Sequence, residues 1–302
     1  MAALSLKGQV GIVTGAGSPS GIGRSLVVAL AKSGAKAVYA CDLNMGNIPS
    51  LQKKIADMGL SCQVEGRLLD VSSEEETLAL IKDILRMHGR LDFYFANAGF
   101  ASVKSLNDLD SASFDRAINV MVRSVYLGMR FSSQAMQHTC VEKPKPGGTF
   151  VVTSSNSSFS GSFGNLAYTT AKAAVNGMVA SGSVQLSASN VRVNGIAPGA
   201  VRTSILASTE QLSSGLKFDL VGEEKSAGAD FASLWEMSGS ADKYYYDKLI
   251  DPEEIASVGV FLASNLASAI NGTVVVVDNG QLAAAHREKL LGPIAPVQAL
   301  QL

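Results

Sequence analysis

The sequence predicts a single α/β domain, a doubly wound parallel sheet flanked by helices on both faces. Three observations carry this. Short β-branched runs alternate with segments of helical period along most of the 302 residues. A glycine-rich turn, TGAGSPSGIG (14–23), joins the first run to the first helical segment. A carboxylate, Asp42, ends the second run nineteen residues after Gly23. Such alternation builds βαβ units, and right-handed crossovers wind them into a sheet covered on both sides.

The elements follow in order. QVGIVT leads to a helix over 21–33, AVYACD to one over 48–58, and a strand ending near Asp70 to one over 73–88. LDFYFAN then precedes a long helix over 111–138, and GTFVVTSS one from about Asn165 to Ser187. VRVNGIAP, a variable segment, a helix near 252–263 and GTVVVVD complete the series. Neither a repeat nor a dividing linker is visible, so 1–302 reads as one Rossmann-like domain. Residues 204–250 are too long for an ordinary α/β connection of about 2–6 residues and read as a variable substrate-binding lid or an added subdomain. The tail 281–302 follows the last strand.

A chain of this size buries roughly three quarters of its unfolded surface, so a large core is available. The composition is 47% hydrophobic and 17% charged with a net charge of -1, without the basic excess that nucleic-acid binding requires. Cys41, Cys62 and Cys140 show no CxxC spacing, which argues against a zinc site or a disulfide framework and fits a reducing compartment. His88, His138 and His286 form no ligand cluster, so no metal is expected. No apolar run approaches the ~18–20 residues of a membrane span, and MAALSLKGQV lacks the apolar core of a secretory signal. The expectation is a cytoplasmic protein with a small-molecule substrate and neither a membrane nor a nucleic-acid partner.

The glycine turn sits between a strand and a helix, the setting in which uncapped N–H groups and the helix dipole receive a pyrophosphate. Asp42 is placed to accept both hydroxyls of an adenosine ribose and to repel a 2′-phosphate, which favours NAD(H) over NADP(H). A Walker loop is excluded because Gly21-Ile22-Gly23-Arg24 offers no Lys-Ser/Thr pair. In YTTAK, Tyr168 and Lys172 stand four apart on one helix face, so an ammonium can lie near the phenol and favour its phenolate.

Over 7–203 and 251–280 the chain resembles the short-chain dehydrogenase/reductase family. TGAGSPSGIG, Asp42, LDV (69–71), ANAG (96–99), INVMV (118–122), SS (154–155), YTTAK, PGAVRT (198–203) and DPEEIA…FLAS…NGTVVVVDNG (251–280) carry the likeness. The resemblance implies Tyr168 as the acid or base, Lys172 as its activator and a donor to the nicotinamide ribose, and Ser155 as the hydroxyl on the substrate oxygen. It implies Asn119 as the holder of a water that links Lys172 to solvent. For the cofactor it implies Gly15, Gly17, Ser18, Ser20, Gly21, Ile22 and Gly23 at the phosphates, and Asp42 and Leu43 at the ribose. Asp70 and Val71 fall to the adenine, Asn97, Ala98 and Gly99 to a supporting strand end, and Pro198, Gly199, Val201 and Thr203 to the nicotinamide.

The loop departs from the family spacing TGxxxGxG. Five residues separate Gly15 from Gly21, whereas counting from Gly17 restores three. The expectation is that Gly15 begins the turn and Ala16–Ser20 absorb the surplus; Gly17 in the first-glycine position is the alternative. Specificity is expected on 204–250, where Leu206, Phe218, Phe231, Leu234, Trp235 and Tyr244–Tyr246 supply apolar surface for a moderately bulky or polycyclic alcohol or ketone. A polyol substrate and a non-redox reaction on the same tyrosine and lysine are the alternatives. The small-residue helix AKAAVNGMVASGS and the family likeness imply a homodimer or homotetramer.

Overall fold

The computed structural model describes residues 4–101, 104–205, 245 and 248–284. The expected lid, apart from its ends, and the tail beyond Ala284 lie outside the described residues, as do Leu206, Phe218, Phe231, Leu234, Trp235, Tyr244, Tyr246 and His286.

Seven strands form one parallel sheet: β1 (Val10–Thr14), β2 (Ala37–Asp42), β3 (Gln63–Leu68), β4 (Phe93–Ala96), β5 (Gly148–Thr153), β6 (Val191–Pro198) and β7 (Val274–Val277). Their order is β3-β2-β1-β4-β5-β6-β7, so winding reverses between β1 and β4. The central strands β1, β2 and β4 are buried almost throughout, which explains near-continuous runs such as VGIVT and AVYAC, while the edge strands β3 and β7 are half-buried. Within β1, Val13 faces one helical layer and Ile12 the other.

The first layer holds α1 (Ile22–Lys32), α2 (Ile48–Asp57) and α7 (Pro252–Ala263). The second holds α3 (Glu74–His88), α5 (Ser124–Ala135) and α6 (Leu166–Gln185), with α4 (Ser111–Ile118) leading into α5. Leu26, Val27 and Leu30 of α1 enter the same cluster as Ile255 and Val260 of α7. Leu127 and Phe131 of α5 meet Val175 and Val179 of α6 on the opposite face. A short α8 (Gln281–Ala284) follows β7.

Helix ends carry their sequence signals. Ser73 accepts the Glu76 N–H at 3.2 Å before the acidic first turn of α3, and Gly89 closes that helix in the left-handed region at φ +67°. Asp251 and Glu254 form a capping box around Pro252. The helix expected over 111–138 is interrupted: Asn119–Arg123 form a π turn between α4 and α5. A π turn of this kind adds one residue to a turn and shifts the faces of the two segments relative to each other.

At the end of the sheet opposite the cleft, one buried anion holds two buried cations. Asp92 accepts the Val10 N–H at 2.8 Å and the Arg90 Nε at 2.8 Å, and Lys143 Nζ lies 3.7 Å away. All three side chains are under a tenth exposed. Asp92→Ala leaves buried Lys143 without its carboxylate, Arg90 with only the exposed Glu142 carboxylate at 3.8 Å, and the start of β1 without its acceptor. Urea unfolding should show a loss of roughly 3–5 kcal/mol, while Lys36→Ala at the exposed Lys36–Glu142 pair should cost under about 1 kcal/mol.

Candidate active site

A cleft of about 670 Å³ opens at the carboxyl ends of the strands, across the point where winding reverses. In open α/β sheets this is where ligands bind, because helix and strand ends converge there without covering one another. One end is built by the β1–α1 turn. Gly15 has φ +71°, and a Cβ on Gly23 would lie 2.2 Å from the Gly15 carbonyl oxygen, so only glycine lets the first turn of α1 pack so closely. The first-glycine position is thus Gly15, and the surplus lies in Ala16–Ser20. Gly21 is the N-cap of α1 without a side-chain cap and with no acid in the first turn. This leaves the helix end open to an anion.

Asp42 lines this end of the cleft, half-buried at the tip of β2. Burial pushes its carboxyl above the ordinary range, and N–H donors from Asn44 and Gly17 work in the other direction. Leu43 beside it is exposed and apolar, so no cation stands at that step. Leu69 of the LDV motif lines the wall too, as does Asn44, which went unread because an asparagine after the strand carries no motif signal.

The other end joins β5, α6 and the segment after β6. Asn165 caps α6 by accepting the Tyr168 N–H at 3.0 Å, which seats Tyr168 in the first turn and Lys172 one turn later. Ser155 follows β5 in extended backbone, with its hydroxyl placed to favour the Tyr168 phenolate. Its neighbour Ser154 also lines the cleft, but its hydroxyl is spent on Asn176 Oδ1 at 2.6 Å and fastens the strand end to α6. Ser157 is fully buried and Ser158 donates to the Ser155 carbonyl, so neither lines the cleft.

Lys172 is only 5% exposed, and its ammonium donates to the Thr153 carbonyl at 2.7 Å. Burial pulls its pKa down to about 8. Nζ lies 5.6 Å from the centre of the Tyr168 ring. The sequence expectation that this ammonium lowers the phenol pKa is corrected here. Burial raises Tyr168 above its ordinary value, and the Ser155 hydroxyl is the opposing influence. The ammonium is turned to the Thr153 carbonyl, and desolvation of the phenol outweighs the influences that favour its phenolate.

Four expected residues lie off the cleft wall. Asn119 is exposed, as are Asp115 and Arg123 on the same helical stripe. The inward position belongs to Met121, 1% exposed. A Cβ on Gly99 would meet the Met121 Sδ at 3.5 Å and Lys172 Nζ at 3.7 Å, so a thioether and the ammonium converge there. Reading the stripe Ala117–Met121–Val125 as apolar would have found it. Asp70 spends its carboxylate on the Ser72 N–H and hydroxyl, shaping the turn before α3, while Val71 does line the cleft. Gly23 is buried against Gly15, and Ser20 lies outside the lining. The rest of the expected set, Gly15, Gly17, Ser18, Gly21, Asp42, Leu43, Asn97 to Gly99, Pro198, Gly199, Val201 and Thr203, comes together around the cleft, with Ile22 at the helix end.

Among the described residues no cluster of His, Cys, Asp or Glu could hold a metal ion, and no helix is long and apolar enough to cross a membrane. The depressed Lys172 pKa sets a pH signature. Between about 8 and 10.5 the unfolded chain holds this proton and the folded chain does not, so stability gains with rising pH across that window. Thermal melts of wild type and Lys172→Met should therefore diverge in favour of wild type as pH rises through the window.

Comparison with known proteins agrees with this fold. A family model described as short chain dehydrogenase matches residues 9–213, and one described as enoyl-(acyl carrier protein) reductase matches 225–281. The chain is 31% identical over 279 residues to a (+)-cis,trans-nepetalactol synthase from Nepeta racemosa, covering 92% of each. It is 29% identical over 277 residues to levodione reductase from Leifsonia aquatica, covering 91% of this chain and 95% of that one. A crystal structure of levodione reductase matches with a TM-score of 0.75 at 27% identity, over 92% and 99% of the two chains. A 7α-hydroxysteroid dehydrogenase complexed with NADH and 7-oxo glycochenodeoxycholic acid matches with a TM-score of 0.73 at 27% identity, over 92% and 95%. With a family model spanning well over half of it and relatives alike from end to end, this chain belongs to the short-chain dehydrogenase/reductase family.

Proposed function

We propose that this protein interconverts a secondary alcohol and a ketone on a moderately bulky, apolar or polycyclic small molecule, with NAD(H) as hydride partner and Tyr168 as proton donor and acceptor. The observation that carries the reading is one cleft with Asp42 at one end and Ser155, Tyr168 and Lys172 at the other. The close-packed glycines, the uncapped α1 terminus and the ribose-facing carboxylate fit a dinucleotide. When bound, the nicotinamide supplies or takes up the hydride.

The chain's own residues do the rest. Ser155 holds the substrate oxygen where negative charge develops during reduction. Tyr168 delivers its proton to that oxygen, or receives it in the reverse direction. Lys172, held by Thr153, places a positive charge behind the phenol and toward the nicotinamide ribose. The raised Tyr168 pKa suits a phenol that keeps its proton at neutral pH and gives it up only as the oxyanion forms. A relay through Asn119 has no place in this site. Asn97 to Gly99 support the cofactor from β4, and Pro198, Gly199, Val201 and Thr203 receive its nicotinamide end. Phe100, Phe163 and Ile205 give the tyrosine end an apolar wall, which supports an apolar substrate. Exposed Tyr126 on α5 and Val184 on α6 are available to a second copy, in keeping with a homodimer or homotetramer.

A second reading is favoured by the nepetalactol synthase relative: a non-redox cyclisation or isomerisation on the same phenol and ammonium. A panel of secondary alcohols and ketones offered with NAD(H) and NADP(H) separates the two. Turnover with a matching change in nicotinamide absorbance supports the redox reading, and product formed at constant absorbance supports the other. Tyr168→Phe should lower turnover by roughly two to four orders of magnitude while NADH affinity stays within about threefold. Full activity in that variant would remove Tyr168 from its role.

A further inference from the structure

The loop between Gly15 and Gly21 is two residues longer than the family spacing, and its surplus lies against the tip of β2. The Gly17 N–H donates to Asp42 Oδ2 at 2.8 Å, and the Asn44 N–H donates to Asp42 Oδ1 at 2.9 Å. The Gly17 carbonyl accepts from Asn47 Nδ2 at 3.0 Å, and the Asn47 carbonyl accepts from Arg24 Nη1 at 3.1 Å. On the other side, Ser18 Oγ lies 2.7 Å from Ser204 Oγ, beyond β6. The longer loop thus reaches from the tip of β2 to the segment after β6.

We infer that this enlarged loop is a cofactor-selectivity device, in which Gly17, held by Asn47, pins the Asp42 carboxylate so that the site accepts a ribose 2′-hydroxyl and refuses a 2′-phosphate. The inference rests on the reading of Asp42 as the ribose residue. A carboxylate at a strand end ordinarily rotates and swings aside from a second anion. Here each oxygen carries one N–H bond from a different segment, so rotation breaks both. A carboxylate has about four acceptor positions; two are taken by the backbone, and two remain for the two ribose hydroxyls. Charge-assisted bonds of this kind are about twice as strong as neutral ones, which keeps the group aimed before any ligand arrives.

The position requires glycine. A Cβ on residue 17 would lie 2.1 Å from the Asn44 carbonyl oxygen and 2.8 Å from Asp42 Cγ. Any side chain there drives the loop off the carboxylate. Losing the pin has opposite consequences for the two cofactors: the hydroxyl loses an aimed acceptor, and the phosphate gains an acid that can turn away. A loop with a merely structural role would weaken both alike, since the pyrophosphate is common to both.

The test is the pair of dissociation constants for NADH and NADPH, measured by titration on wild type, Gly17→Ala and Asn47→Ala, with thermal melts to verify folding. The preference for NADH over NADPH should fall by about tenfold in Gly17→Ala, chiefly through weaker NADH binding. In Asn47→Ala, which keeps the glycine, it should fall in the same direction by less. Equal weakening of both cofactors, or an unchanged ratio in both variants, overturns the inference and leaves the reading of Asp42 standing. If Gly17→Ala does not fold, the Asn47→Ala ratio decides. Wild-type preference for NADPH overturns the Asp42 reading itself, and this inference with it.

Discussion

Asn97 stands where three strand ends meet, and the geometry of the cleft follows from how its amide is shared. Its Nδ2 donates to the Thr14 carbonyl at 3.0 Å and the Gly15 carbonyl at 3.3 Å, and its Oδ1 accepts from Thr153 Oγ1 at 3.0 Å. The Thr14 hydroxyl in turn accepts the N–H groups of Asn97 and Ala98. The ends of β1, β4 and β5 are thereby held in one arrangement at the point where winding reverses. From Gly15 the glycine turn departs toward Asp42, and the Thr153 carbonyl receives Lys172. Both ends of the cleft are positioned from this single amide, which has no freedom to satisfy one strand at the expense of another.

The site carries a cost that the rest of the fold offsets. Lys172 is a charge withdrawn from water with the Thr153 carbonyl as its hydrogen-bond partner and, among the described residues, no carboxylate paired with it; desolvation lowers its pKa. Met121 deepens the apolar setting. The two helical layers, with clusters running from Leu26 to Val260 on one face and from Leu80 to Val193 on the other, supply the burial that lets such a residue persist. At the far end of the sheet the logic is reversed: Arg90 and Lys143 are matched by Asp92, and that cluster anchors the start of β1.

The fold was legible because its signals are local and periodic. Runs such as AVYAC announce buried parallel strands, and Ser73, Gly89 and Asp251 mark helix ends with side chains whose chemistry is spent within one turn. Ser155, Tyr168 and Lys172 were legible for the same reason, since a strand end and a helical i, i+4 pair bring them to one place. Asn119 was misplaced because its motif context could not fix helical phase. One residue's rotation is about 100°, and the π turn at Asn119–Arg123 alters phase again, so Met121 and not Asn119 points inward. Asp70 was misplaced because a carboxylate before Ser72 has a nearer use in its own turn.

What the sequence by itself determined is the order of elements, the alternation that makes the sheet parallel, the glycine turn with its surplus residues, and the identity of the acid at the tip of β2. These depend on neighbours within a few residues, where covalent geometry limits the choices. What only the tertiary structure decided is where the surplus goes, which serine hydroxyl is spent on α6, and which way the lysine points. Gly17 meets Asp42 from 25 positions away and Ser18 meets Ser204 from 186 away. Such contacts are chosen by the packing of whole layers, and no local propensity encodes a distance across a folded sheet.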